Sequence, residues 1–275
     1  MEQTERTINI EKAIKDSDNK LLKSLPQFVI NILRKIICED ELNSSFELHR
    51  HLEGIAFVND VLKEWNTKIT VRAEENIPVN GRFIFVANHP MGGIDALSFL
   101  SVISRHFSDV ISPSNQLFNY IPNLRCLIIG LDVFGHATKE TARQLDELYA
   151  SDTQVMIFPA GEVSRKIKGR ITDIPWQKSF VTKAIQHKRD IIPVHISGRN
   201  SNLFYNIANI RKLLGIKMYI ETILLPREMM QQKNIEVILT IGKVIPWQWL
   251  TPEKTHYEWA QKIRDIVYSL PSSAG

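Results

Sequence analysis

A chain of 275 residues with 44% hydrophobic and 23% charged residues can build one large core without a metal or disulfide staple. Its two cysteines, Cys38 and Cys126, sit in neither a C-x-x-C nor a zinc spacing, which speaks against a metal framework and predicts free, buried thiols in a reducing compartment. The net charge of +4 suits an anionic partner, but no zinc-finger spacing and no aromatic RNA-binding strand accompanies it, so nucleic acid is set aside.

The N-terminus, MEQTERTINIEKAIKDSDNK, is polar and charged and does not read as a secretory signal. No run of about 18 apolar residues follows anywhere, so no membrane-spanning helix is expected. Both features predict a protein of the cytosol, or a peripheral one on the membrane face that looks onto it. Leu21, Leu22, Leu25, Phe28, Val29, Ile32, Leu33, Ile36 and Ile37 recur at spacings of three and four and predict one helix with an apolar stripe, flanked by Lys23, Arg34 and Lys35. Pro26 fits its first turn. Such a stripe either packs on a core or lies on a bilayer. A second helix is expected from Ser45 to Trp65, with Phe46, Leu48, Leu52, Ile55, Val58, Val61 and Leu62 on its apolar side. Residues 1–66 thus read as a helical, membrane-associating segment, and 67–275 as a separate domain.

From Lys68 the pattern alternates between strands and helices. KITVRAEE, RFIFVAN, CLIIGLDVF, QVMIFPAGE and DIIPVHISG predict strands, most of them of the continuously apolar, buried kind. Between them, ALSFLSVISRHF, ATKETARQLDELYASD and WQKSFVTKAIQHKR predict helices, with Thr138 or Thr141 as a cap. KMYIETILL and IEVILTIGKVI predict further strands, and THYEWAQKIRDIVYSL a final amphipathic helix. The fold class expected is α/β: a mixed, mostly parallel sheet flanked by helices on both faces, with an N-terminal helical segment. Pro193 inside its strand predicts an edge position or a bend. Trp176, Trp247, Trp249 and Trp259 are core candidates first and bilayer anchors second.

Three loops follow apolar strands, where open α/β sheets bind ligands. In NHPMGGID, His89 directly follows its strand, and Asp95 comes six residues later at the expected N-cap of the next helix. A carboxylate that fixes a histidine's tautomer makes it a useful base. Equally, Asp95 serves as a cap and His89 as a satisfied loop residue. No G-x-S-x-G elbow supplies a nucleophile, so a base here has to activate a substrate hydroxyl. In FPAGEVSRKIKGR, Gly161, Glu162, Ser164, Arg165 and Lys166 bring polar groups together, and Lys168 and Arg170 extend a basic run. Such a loop either grips a phosphate or carboxylate or is a solvated turn. In Ile192-Pro193-Val194-His195-Ile196, His195 reads as a packed core histidine.

Taken together, these stations resemble the glycerolipid acyltransferase family that includes lysophosphatidate acyltransferases. The family's N-H-x-x-x-x-D is matched by Asn88, His89 and Asp95 with one extra residue between histidine and aspartate. Its F-P-E-G-T-R-S becomes Phe158-Pro159-Ala160-Gly161-Glu162-Val163-Ser164-Arg165, the glutamate having moved past the glycine. Ile192-Pro193-Val194 matches the apolar-proline block, and Gly130-Leu131-Asp132-Val133-Phe134 loosely matches a second block without its arginine. The matching region runs from about residue 70 to 200. H-P-x-G-G-x-D with F-P-A-G-E-x-S-R resembles a subgroup of amino-acid-lipid O-acyltransferases, makers of ornithine and glycine lipids, and domains described as hemolysins.

The resemblance implies His89 as general base, Asp95 as its orienter, and Gly161, Glu162, Ser164, Arg165 and Lys166 as the acceptor-binding loop. It implies a peripheral enzyme of membrane lipid biosynthesis that moves an acyl group from an acyl carrier protein or coenzyme A thioester to a lysolipid hydroxyl. No metal or further cofactor is implied. A lyso-amino-acid lipid is the favoured acceptor and lysophosphatidate the alternative. A hydrolase that uses water, and a non-catalytic lipid-binding protein, are the competing classes.

Overall fold

The computed structural model describes residues 6–16, 23–115, 121–131, 138–216 and 219–271. Helices α1 (Ile10–Asp16), α2 (Gln27–Ile36), α3 (Glu39–Leu48) and α4 (Gly54–Glu64) precede strand β1 (Lys68–Arg72). Then come β2 (Phe83–Ala87), α5 (Gly93–Ile103), β3 (Val110–Asn115), β4 (Ile128–Leu131), α6 (Lys139–Ala150), β5 (Gln154–Ile157) and the hairpin β6 (Arg165–Ile167) and β7 (Arg170–Thr172). The chain ends with α7 (Ser179–His187), β8 (Asp190–Ile196), α8 (Asn202–Leu213), α9 (Leu225–Gln231), β9 (Glu236–Ile241) and α10 (His256–Ser269).

β2 is buried at every position, and its side chains sort by parity. Phe83, Phe85 and Ala87 enter one core with Phe57 and Val58 of α4 and Phe99 of α5. Ile84 and Val86 enter another with Phe180 of α7 and Ile263 and Val267 of α10. Alternate strand residues face opposite sides, so a strand apolar throughout has to be covered on both. β5 and β8 divide likewise: Met156, Ile192 and Val194 go to the first core, Val155, Ile157 and Ile191 to the second. The resulting seven-stranded sheet has the order β1-β9-β8-β2-β5-β3-β4, and every pairing is parallel except β8 with β9. The α/β class and the mixed, mostly parallel sheet are as expected.

Several local expectations are corrected. The helix expected over 45–65 is two helices, because the chain turns after Leu48 and restarts at Gly54, whose φ of +58° suits glycine. Leu42 and Phe46 of α3 join the same core as α4 and the sheet. Tyr219–Leu225, expected as a strand, is a 3₁₀ turn over Ile220–Leu224 running into α9, with Pro226 in the first turn of that helix. β3 was not expected, since VISPSN carries a proline and three small polar residues. Leu21 and Leu22 of the expected stripe, and Asp132, Val133 and Phe134, lie outside the described residues. Cys126 is exposed and Cys38 half-buried, so neither is the buried thiol expected. Trp176 and Trp259 are core residues, whereas Trp249 is exposed.

Pro193 lies in a central strand rather than at an edge. β8 pairs Val194 with Ile241 and then Ile191 with Ile245, three steps against four. The extra residue is a bulge opposite the proline, which is the other place a sheet tolerates one. Gly242 N–H donates to the Pro193 carbonyl there at 2.7 Å.

At the amino ends of the central strands sits Arg189, fully buried and held by main-chain carbonyls. Its guanidinium donates to the carbonyls of Phe83, Leu148, Tyr149, Ser151 and Thr153. It thereby ties together the starts of β2, β5 and β8. Burial lowers its pKa to about 10.

Candidate active site

β2 ends in Asn88, whose side chain continues the ladder to β8. Its Nδ2 donates to the Ile196 carbonyl at 2.9 Å, and Ile196 N–H donates to its Oδ1 at 2.7 Å. The side-chain amide thus takes the place of one backbone rung, and the main chain is free to turn. His89 is the next residue. Its Nδ1 lies 3.1 Å from Asp95 Oδ2. Its ring stacks on Phe158, the residue after β5, at 4.0 Å between centroids. The ring is 17% exposed and Asp95 is fully buried.

Asp95 is the third residue of α5, not its N-cap, which is Gly92 at φ +102°. Its Oδ2 accepts the N–H of Met91 at 2.7 Å and of Gly92 at 2.9 Å. One carboxylate therefore closes the helix N-terminus and holds the histidine. Asp95 thus serves the helix start and lies within hydrogen-bond reach of His89. The turn packs against both neighbouring loops: a Cβ on Gly92 would meet Val163 at 3.4 Å, and one on Gly198 would meet Met91 Sδ at 2.2 Å. The ends of β2, β5 and β8 thus converge around His89.

The second loop is arranged less simply than its sequence suggests. Gly161, at φ +70°, is exposed with nothing near its would-be Cβ. Ser164 is buried; its N–H donates to the His89 carbonyl at 2.7 Å and its hydroxyl to Asp173 Oδ1 at 2.5 Å. Arg165 is almost fully buried, with NH2 3.1 Å from Glu162 and 3.2 Å from Glu221, and NH1 donating to the Val163 carbonyl. Its guanidinium lies over the rings of Phe204 and Tyr219. Arg211 completes the set, 2.8 Å from Glu221. The Tyr219 hydroxyl, bonded to Glu162, has its pKa raised by that carboxylate. Lys166 is exposed on β6. His89 and Asp95 therefore meet directly and Ser164 is tied to His89, while Glu162 and Arg165 form their own ion cluster and Lys166 stands outside it.

Sequence reading missed Asp173. It is buried, accepts Trp176 Nε1–H at 2.8 Å and the His89 N–H at 3.3 Å, and its own N–H donates to the Tyr268 hydroxyl at 2.7 Å. Burial pushes the pKa of Tyr268 up to about 12. Glu221, Arg211 and Tyr219 were missed too. All reach the site from far along the chain, and only an aspartate stranded in the apolar stretch Ile171–Trp176 hinted at any of them. His195 is buried and packs edge-on against Tyr268, as its strand position predicted.

Beside the site, an apolar cavity of about 50 Å³ opens between Gly93, Ala96 and Leu97 of α5, Val61 of α4, Met156 and Met229. Among the described residues no group of three or more His, Cys, Asp or Glu is placed to hold a metal ion. No helix among them is long and apolar enough to cross a membrane.

A family model described as Acyltransferase matches residues 12–273. A lyso-glycine lipid O-acyltransferase of Phocaeicola vulgatus is 38% identical over 264 residues, covering 96% of this chain and 95% of that protein. One of Bacteroides thetaiotaomicron is 36% identical, covering 96% and 97%. The crystal structure of the 1-acyl-sn-glycerophosphate (LPA) acyltransferase, PlsC, from Thermotoga maritima aligns at a TM-score of 0.49 and 15% identity, over 96% of this chain and 89% of that one. With a family match and relatives that each span nearly its whole length, the chain belongs to the acyltransferase family.

Proposed function

We propose that this acyltransferase moves a fatty acyl group from a thioester, on acyl carrier protein or coenzyme A, to the hydroxyl of a lyso-amino-acid lipid, with lyso-glycine lipid the first candidate. The observation that carries the chemistry is the 3.1 Å contact between His89 Nδ1 and Asp95 Oδ2. With Nδ1 facing the carboxylate, Nε2 is the nitrogen that meets substrate. It takes the acceptor hydroxyl proton as that oxygen attacks the thioester carbonyl carbon, and Asp95 stabilises the imidazolium. Collapse of the tetrahedral adduct breaks the C–S bond, and the imidazolium returns the proton to the departing thiolate. The ester forms in one transfer with no acyl-enzyme.

In this reading the loop Gly161–Lys166 frames the acceptor head. Arg165 and Arg211 are balanced by Glu162 and Glu221. A nearly neutral cluster, with Lys166 exposed beside it, suits a singly charged carboxylate and an amide better than a dianionic phosphate. A carboxylate brings half the charge of a phosphate dianion to a cluster whose two arginines are matched by two glutamates. The names of the relatives support the same acceptor. The cavity between α4 and α5 is the proposed mouth for the acyl chain.

The test is a competition between lyso-glycine lipid and lysophosphatidate for one labelled acyl thioester, with products separated by mass. Dominant diacylated glycine lipid is expected. Preference for lysophosphatidate overturns the acceptor assignment, and free fatty acid alone overturns transfer.

A further inference from the structure

α8 carries apolar residues on two sides. Phe204, Tyr205 and Ala208 point inward and are buried. On the opposite side Leu203, Ile210, Leu213 and Leu214 are exposed, with the polar Asn202, Asn206 and Asn209 among them. These apolar residues are open to solvent: Leu213 is 86% exposed and Leu214 67%. Ile216 and Ile220 continue them past the helix end. The outer side of α2 adds Phe28, 65% exposed, and Ile32, 52% exposed. The two helices are neighbours, since Ile36 of α2 and Ile207 of α8 pack on the same small cluster around Phe204 and Val163. An exposed apolar surface of this extent marks a docking face.

Charge selects the occupant. Neither α2 nor α8 contains an acidic residue. Arg34 pairs with Glu39 and Asp40 and Arg211 with Glu221, while Lys35, on the Phe28 side of α2, and Lys212, at the end of α8, are exposed. A second copy of the chain would set these helices against themselves, and neither carries an acidic residue to match the lysines. Anionic lipid head groups match them directly. Position agrees: the inner side of α8 carries Phe204, 5.4 Å beneath the Arg165 guanidinium. One helix thus has the acceptor loop behind it and the open apolar residues in front.

We propose that α8 and the turn after it, with the outer side of α2, form the face by which the protein lies on an anionic bilayer, so that a lysolipid crosses the width of one helix to reach His89. This rests on the acyltransferase reading for its purpose, but the docking itself is read without catalysis. The probe is co-sedimentation of the full chain with vesicles of phosphatidylethanolamine and phosphatidylglycerol, comparing the parent with the Leu213→Glu/Leu214→Glu double variant. Both side chains are outside the core, and a thermal melt confirms folding. Vesicle partition should fall at least about tenfold, since withdrawing even one leucine side chain from the bilayer weakens binding by that order. Acylation of vesicle-borne lysolipid should fall with it, while turnover of a short-chain, water-soluble acceptor stays unchanged. Undiminished partition overturns the proposal. So does a shift from dimer to monomer on sedimentation velocity with vesicle binding intact, which gives the face to a second copy. If the parent binds vesicles through this face yet acylates no lysolipid, the enzymatic reading fails and the docking face stands.

Discussion

Asp173 grips His89 from behind. Its Oδ1 accepts the His89 backbone N–H at 3.3 Å and the Ser164 hydroxyl at 2.5 Å, and Ser164 N–H donates back to the His89 carbonyl at 2.7 Å. The imidazole is thus set from two sides, its ring by Asp95 and its main chain by Asp173.

Asp173→Ala should therefore cost both stability and turnover. It strands the buried Trp176 Nε1–H and the Ser164 hydroxyl, and each buried group left without a partner costs about 1–3 kcal/mol. Urea denaturation should show a loss of roughly 3 kcal/mol, and kcat should fall with it. Asp173→Asn, which keeps one acceptor, should be milder in both. A variant with parental stability and kcat would show the aspartate to be dispensable.

His89→Ala should lower transfer by at least about a hundredfold, the scale of general-base catalysis, with a smaller loss of stability than Asp95→Ala because Asp95 keeps its two main-chain donors. Asp95→Ala should differ in kind. It removes the imidazole's partner and the acceptor for two main-chain N–H groups at the start of α5, so it should also lose about 1–2 kcal/mol of stability. Equal melting temperatures for the two variants would contradict the double duty of Asp95.

Arg165→Gln leaves Glu162 and the fully buried Glu221 short of a counter-charge. Breaking a buried pair from one side costs about 3–5 kcal/mol. Adding Glu162→Gln should restore part of this, and a double-mutant cycle measures the coupling. Additive effects would mean that the pair at 3.1 Å contributes nothing specific.

His195 supplies a pH dependence. Burial holds its pKa below the ordinary 6.5, and the nearby Asp173 only partly opposes this. As pH falls below 6.5, the unfolded chain takes up this proton before the folded one, so stability is lost on acidification. The slope from this one group is at most about 1.4 kcal/mol per pH unit. His195→Phe, which keeps a ring against Tyr268, should flatten stability between about pH 6.5 and 5. An unchanged slope would assign acid sensitivity to other groups.

The central strands and the His89 turn were legible because each is a short apolar run ending in polar residues, a pattern that lies within one segment. The α6 boundary was legible for the same reason, Thr138 accepting the Thr141 N–H as a cap three residues away. What stayed hidden depends on distance. Leu52 keeps helical spacing across the break before Gly54, so nothing local marks two helices. Arg165 read as a free cation because Glu221 lies 56 residues on, and α8 was not read as a helix at all. Asp173 draws its partners from residues 3 to 95 positions away, and no window of sequence holds them together.

The carbonyl cage of Arg189 sits at the opposite ends of the same strands that carry His89, Phe158 and Ser197. The anchorage of the sheet and its working rim are therefore spatially separate modules. In the proposed reading, rim loops can be exchanged to change the acceptor while the anchored end goes on setting strand alignment, which would make this scaffold a host for grafted head-group loops.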